Sequence, residues 1–185
     1  DYTNDLGGLA TLNDGYEPTE SHDTSHGAWH NWNNRYENGV AKNAWVSYTW
    51  DKPVEINSMD IYYFSDHGGI VAPKSASFEY LNDAGEWVAA DEAQGLACVE
   101  DEYNTVKLAN IKTKAIRMTM EPEFLNDGDP AHGVGVIEWK VYGKYAEDKP
   151  ETVDKTALDA VIREAESRAE KDYTCLLYTS DAADE

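Results

Sequence analysis

Two carboxylates and one aromatic-rich stretch are the parts of this sequence whose residue types could make a site. Asp14 lies in a polar turn ahead of the first clear strand pattern, and Glu138 lies on the last one. Where the ends of a β-sandwich meet, an early Asp and a late Glu can share a cation with backbone carbonyls. Calcium suits that role because it takes roughly six to eight oxygens in loose geometry. Two unrelated solvated carboxylates would give the same spacing. Between Tyr16 and Tyr36 the chain is polar and rich in Asn and His, yet it contains Trp29, Trp32 and Tyr36. A sugar ring presents apolar C–H faces and polar edges, so it is matched by a flat aromatic beside hydrogen-bonding side chains. Trp29 as platform, with His30, Asn33, Arg35 and Tyr36 around it, would supply both, and His67 or His132 would approach from other loops. Alternatively either Trp plugs the end of the sandwich, which is the better reading for Trp32.

Other constellations carry less. His22, His26 and His30 are spaced by four, which on a helix would align three metal ligands. Ser25, Gly27 and the Asn-rich flank oppose a helix there, so locally hydrogen-bonded loop histidines are the better reading. Asp127, Asp129 and Glu138 imitate positions of an EF-hand loop, but His132 stands where that loop needs Gly. Paired carboxylates can hydrolyse glycosides, yet nothing singles out one pair among 36 acidic residues. No nucleophile elbow, phosphate-binding glycine loop or Cys/His arrangement appears. The sequence is therefore expected to be non-catalytic.

Composition narrows the partners. The chain has 185 residues and a formal net charge of −21, with 15 Lys and Arg against 36 Asp and Glu. That opposes nucleic acid and anionic membrane surfaces as partners, and no apolar run approaches the roughly 20 residues of a membrane helix. Hydrophobic residues make up 41% and there are six Trp, which opposes general disorder.

The positioning elements are predominantly strands. Val46, Tyr48 and Trp50 share one face, with Ser47 and Thr49 on the other; Met59, Ile61 and Tyr63 alternate with Asp60 and Tyr62, and Ile116, Met118 and Met120 with Arg117 and Thr119. Residues 77–80, 86–89, 104–108 and 136–142 add short candidates. Asp51-Lys-Pro53, Asn82-Asp-Ala-Gly85 and Asn126-Asp-Gly-Asp-Pro130 read as turns. The pattern predicts an all-β domain over 1–145, a jelly-roll β-sandwich of about eight strands. Residues 146–152 read as a charged linker. Beyond it Leu158, Val161, Ile162, Ala165 and Ala169 fall on one face of an amphipathic helix over 153–174, with Asp154 as N-cap. Residues 175–185, Cys175-Leu-Leu-Tyr-Thr-Ser-Asp-Ala-Ala-Asp-Glu185, resemble a translated sequencing adapter of metagenomic assemblies and are set aside, which leaves Cys98 as the lone cysteine.

Leu12-Asn-Asp-Gly15, Ser25-His-Gly-Ala28, Asn31-Trp32, Trp45-Val46 and the late Ile137-Glu-Trp-Lys-Val-Tyr-Gly143 resemble the galactose-binding-like superfamily, also called discoidin or coagulation factor type C. Within it the likeness is to family 32-type carbohydrate-binding modules of bacterial glycoside hydrolases. Asp66-His-Gly-Gly-Ile70 with Pro73 also resembles a loop of arabinofuranosidase accessory domains. The resemblance implies a structural calcium held by Asp14 and Glu138, with the Glu20–Asp23 stretch, Asp23 included, contributing. The spacing from Asp14 to Trp32 is longer than usual for such domains. Residues 153–174 resemble the first helix of a FIVAR domain, a small three-helix module of large cell-surface and secreted bacterial proteins. Together these imply a monomeric, extracellular module that binds galactose-, arabinose- or hexosamine-type glycans for a parent glycoside hydrolase. The competing expectation is a structural spacer or adhesion module, favoured if Trp29 and Tyr36 are buried.

Overall fold

The computed structural model describes residues 8–124, 131–146 and 156–172, with the side chains of the last segment up to residue 166. The turn at 126–130, most of the linker, Asp154 and the adapter-like tail lie outside the described residues. The chain divides into two units, Asp1–Ala146 and Glu147–Glu185.

The first unit is a β-sandwich. Its strands are β1 (Trp29–His30), β2 (Tyr36–Glu37), β3 (Val40–Ala41), β4 (Ala44–Phe64), β5 (Ile70–Val71), β6 (Ser75–Leu81), β7 (Trp87–Ala89), β8 (Asn104–Glu121) and β9 (Gly133–Tyr145). The main sheet runs β1-β9-β4-β8-β6-β7, with β5 parallel to the start of β9 and β2-β3 as a separate ribbon. Two long strands bend and serve both layers. The first part of β4 pairs with the last part of β8 (Val46↔Met118), and the second part pairs with both β8 (Met59↔Val106) and β9 (Met59↔Val141).

The bend falls where turn chemistry stands in the sequence. Asp51-Lys-Pro53 was expected to be a turn between strands; β4 instead runs through it, with a register shift between Thr49 and Val54. Pro53 has no N–H for the ladder, so the corner is where it fits. The partner corner on β8 is held by Thr113, which is buried. Its hydroxyl lies 2.8 Å from the carbonyls of both Leu81 and Ala115. A second irregularity lets β4 follow β9 past Gly143, where a Cβ would stand 2.2 Å from the Glu55 carbonyl oxygen. Only glycine admits that approach.

The period-two pattern decides what is buried. Val46, Met59, Ile61, Phe78, Ile116, Met118, Met120 and Trp139 meet in the core at 2% exposure or less. Burying an aliphatic or aromatic side chain of this size stabilises by about 1.5–3 kcal/mol. Tyr62 breaks the alternation: it is also buried, in a second cluster with Phe64, Ile70 and Ile137 on the other face of the sheet.

In the second unit, α1 (Thr156–Asp172) confirms a helix inside the predicted span. Leu158, Val161 and Ile162 are exposed. No helix among the described residues is long and apolar enough to cross a membrane.

Candidate functional site

The end of the sandwich where β4 and β9 begin carries the loops that were expected to form a site. They sort into a pair of carboxylates, a self-contained loop cluster and an open cleft.

Glu138 lies opposite Tyr62 in the ladder and is 2% exposed. The Gly15 backbone N–H reaches its carboxylate, while its Oε2 has no hydrogen-bond partner. Burial and the Asp14 carboxylate beside it push the Glu138 carboxyl up to about 7. The topology thus brings Asp14 and Glu138 to one place. Asp14 accepts the Tyr16 backbone N–H at 3.0 Å and lies 3.2 Å from His26 Nε2. Tyr16 stacks on His26 with centroids 3.9 Å apart and donates its hydroxyl to Asp23. Asp23 is otherwise occupied locally, accepting from the Ser25 N–H at 2.9 Å and the Ser25 hydroxyl at 2.6 Å, which holds its carboxyl below the usual range. Among the described residues no three His, Cys, Asp or Glu side chains are grouped to hold a metal ion. The pair Asp14 and Glu138 therefore needs carbonyl or water oxygens beside it, and an orphaned buried carboxylate oxygen facing a second carboxylate is a setting that a calcium ion fits.

Of the residues expected to contact sugar, Trp29 and His30 are buried, Arg35, Tyr36 and His132 are half-buried, and His67 is exposed. Trp29 is not an exposed platform. The two-residue β1 pairs it with Val136, which turns its indole into the core at 3% exposure. His30, paired with Gly135, is also buried, its ring 6.3 Å from Phe64 and its Nδ1 3.4 Å from the Trp32 backbone N–H. Arg35 is layered between two rings, its guanidinium carbon 3.6 Å from the Trp32 centroid and 5.0 Å from Tyr36. One Nη donates to the Trp32 carbonyl at 2.6 Å. Trp32 also rests on Gly69, where a Cβ would stand 2.5 Å from the ring. Tyr36 accepts the Ala131 N–H at 3.0 Å through its hydroxyl. His67 stacks on His22 at 4.5 Å, and the His132 N–H bonds the Glu123 carbonyl at 2.9 Å. The three evenly spaced histidines thus go separate ways, and none sits on a helix.

An open cleft of about 480 Å³ lies beside this cluster. Trp45, 51% exposed, forms one wall; Asn31, Asn34, Lys42 and Asn43 give it polar edges, and Trp29 also borders it. Asn31 is 4% exposed. Its Oδ1 accepts the Val134 N–H at 2.8 Å, but its Nδ2 has no partner. The sequence reading missed this cleft, although the alternation that sends Val46 inward sends Trp45 outward.

No protein-family model matches the chain. Solved structures with a similar fold include a chain of the β-galactosidase BgaA of Streptococcus pneumoniae, at TM-score 0.55 and 19% identity, covering 73% of this chain and 84% of that one. The family 32 carbohydrate-binding module of Streptococcus pneumoniae EndoD superposes at TM-score 0.50 and 17% identity, over 78% of this chain and 90% of that one. This is the fold of the family 32 modules. Chitosan-binding module 1 of a chitosanase/glucanase from Paenibacillus sp. IK-5 shares it at TM-score 0.50 and 14% identity, over 76% and 87%. The family 32 fold accounts for the two-layer jelly roll with its loops gathered at one end; the side chains at that end are this chain's own.

Proposed function

We propose that the first unit is a non-catalytic carbohydrate-binding module that brings a secreted or cell-surface glycoside hydrolase to glycans. The observation that carries this reading is the cleft at Trp45: a half-exposed indole beside converging Asn and Lys side chains. Its volume is that of a small-ligand site. The indole stacks on the C–H face of a sugar while amide and ammonium groups bond its hydroxyls. The fold neighbours described as a carbohydrate-binding module of EndoD and a chitosan-binding module support the reading by analogy of fold. Galactose-, arabinose- and hexosamine-type glycans remain the classes to test. A single shallow site of this kind binds in the millimolar to micromolar range, where pairing with other modules supplies avidity.

Asp14 and Glu138 are the side chains that would hold a calcium ion. The ion supplies charge compensation for the two carboxylates and ties the 14–26 loop to β9. Asp23 then acts on the loop through Tyr16.

The spacer reading draws on the burial of Trp29, but the exposure of Trp45 favours binding. The test is a glycan array of the full chain with calcium present, beside Trp45→Ala. We expect binding to one of the three glycan classes, lost in the variant. Wild-type silence across a dense array would leave the spacer.

A further inference from the structure

The cleft does not end at Trp45. Register places Ser47 opposite Arg117, Arg117 opposite Glu79, and Glu79 opposite Ala89, so β4, β8, β6 and β7 present one continuous row. Trp45, Thr119 and Ser77 form the next row. This is the outer face of the layer, because the alternating residues Val46, Met118 and Phe78 lie in the core. At its far edge Trp87 is 37% exposed.

Arg117 joins the two tryptophans. Its guanidinium carbon lies 4.4 Å from the Trp87 ring centroid and 5.9 Å from that of Trp45. Nε and Nη2 donate to one oxygen of Glu79 at 2.9 and 2.7 Å. The guanidinium is thereby fixed in place and its charge is matched, while the remaining N–H groups stay available to a hydroxyl. The result is a strip of two partly exposed indoles with a polar bridge between them, running from the cleft across the middle of the sheet. Under the strip β8 is hydrogen-bonded on both sides, by β4 and by β6, while β4 pairs with β8 alone over 44–49 and β6 carries β7 along Glu79–Leu81.

Two platforms separated by donors and acceptors suit a chain of sugars better than one terminal sugar. We propose that the Trp45–Arg117–Trp87 strip, with the cleft, binds an internal stretch of a neutral glycan chain. This rests on the carbohydrate-binding reading and adds the ligand's length and charge to it. Neutral glycan is specified because Glu79 already balances Arg117, and a chain of net charge −21 repels uronates and sulfated sugars.

The experiment is isothermal titration of the full chain with three neutral ladders, galactan, arabinan and N-acetylglucosamine oligomers, each from monomer to hexamer, with oligogalacturonate as the acidic counterpart. Affinity is expected to rise about 10-fold or more between monomer and tetramer of the ladder that binds, the gain of one further stacked ring. Trp87→Ala is expected to abolish that rise while leaving monomer affinity unchanged, and Trp87→Phe to restore part of it. Equal affinity for all lengths, or a length dependence untouched in Trp87→Ala, overturns the strip and leaves the cleft intact as a terminal-sugar site. Tighter binding of oligogalacturonate overturns the neutral-chain assignment. No binding by any ladder overturns the strip and the carbohydrate reading together. Sedimentation completes the set: dimerisation of the wild type that Trp87→Ala removes would show that a second copy covers the strip, and overturns it as a glycan surface.

Discussion

Two arginines in this module sit between pairs of aromatic rings, and their surroundings give them opposite uses. Arg35 lies 3.6 Å from Trp32 and 5.0 Å from Tyr36, on a loop with little strand pairing. Arg117 lies 4.4 Å from Trp87 and 5.9 Å from Trp45, on strands already fixed by the ladder. In the loop the stack does the work of secondary structure: it braces Trp32 against Gly69 and satisfies a backbone carbonyl. On the sheet the backbone needs no such help, so both indoles keep exposed surface. The same side-chain types serve folding in one place and recognition in the other, and backbone support decides which.

Substitutions can separate the two regions. The largest effect belongs to Trp29, which anchors the loop end. Trp29→Ala is expected to cost about 3–5 kcal/mol of unfolding free energy, measured by urea titration. A loss under about 1 kcal/mol would mean its indole is not packed as described.

Next comes Glu138. Its carboxyl binds a proton up to about 7 in the folded metal-free protein, against 4.5 ordinarily. Between those values the folded state holds more proton than the unfolded one. Metal-free stability is therefore full below pH ~4.5 and falls as pH rises towards ~7, by an amount on the order of 2–3 kcal/mol. Calcium requires the carboxylate, so added calcium should remove that fall between pH ~4.5 and ~7, and chelation should lower the melting temperature near neutrality. Melts in chelator and in calcium across this range check both; identical curves would remove Asp14 and Glu138 as a calcium pair.

The smallest effects sharpen the comparison most. Arg35→Ala should destabilise by about 1–2 kcal/mol, because it removes a brace and a bond to a backbone carbonyl. Arg117→Ala should change stability by roughly 0.5 kcal/mol, as is usual for a partly exposed ion pair, yet weaken glycan binding. The opposite ranking in paired melts and titrations would erase the distinction between the regions.

How far the sequence led follows from the length of each element. The strand cores were legible because Val46, Met59, Ile61, Ile116, Met118 and Met120 repeat with period two over several residues. The corner at Pro53 was legible as a break, though not as a bend within one strand. Glu138 was legible as a carboxylate on the last strand, and its company with Asp14 depended on the ends of the sandwich meeting. Trp29 was misplaced because β1 has two residues, too few to show a period, and only its pairing with Val136 sends it inward. The cleft joins Asn31 and Asn34 to the run from Lys42 to Ser47; alternation along β4 sends Trp45 outward, but the meeting of the two segments depends on the fold. Trp87 and Arg117 meet through strand register, which alternation alone does not determine.

The bonding at the Pro53 corner bears on how such a module carries load. The Ala146 N–H bonds the Pro53 carbonyl at 2.9 Å, so the chain leaves the sandwich beside the bend, while Ala44, at the cleft, begins the same half of β4. Ligand and tether therefore pull from opposite ends of one strand. Tension between a glycan held at Trp45 and anything following Ala146 runs along β4 and loads its ladder to β8 in shear, with many hydrogen bonds resisting at once rather than one after another.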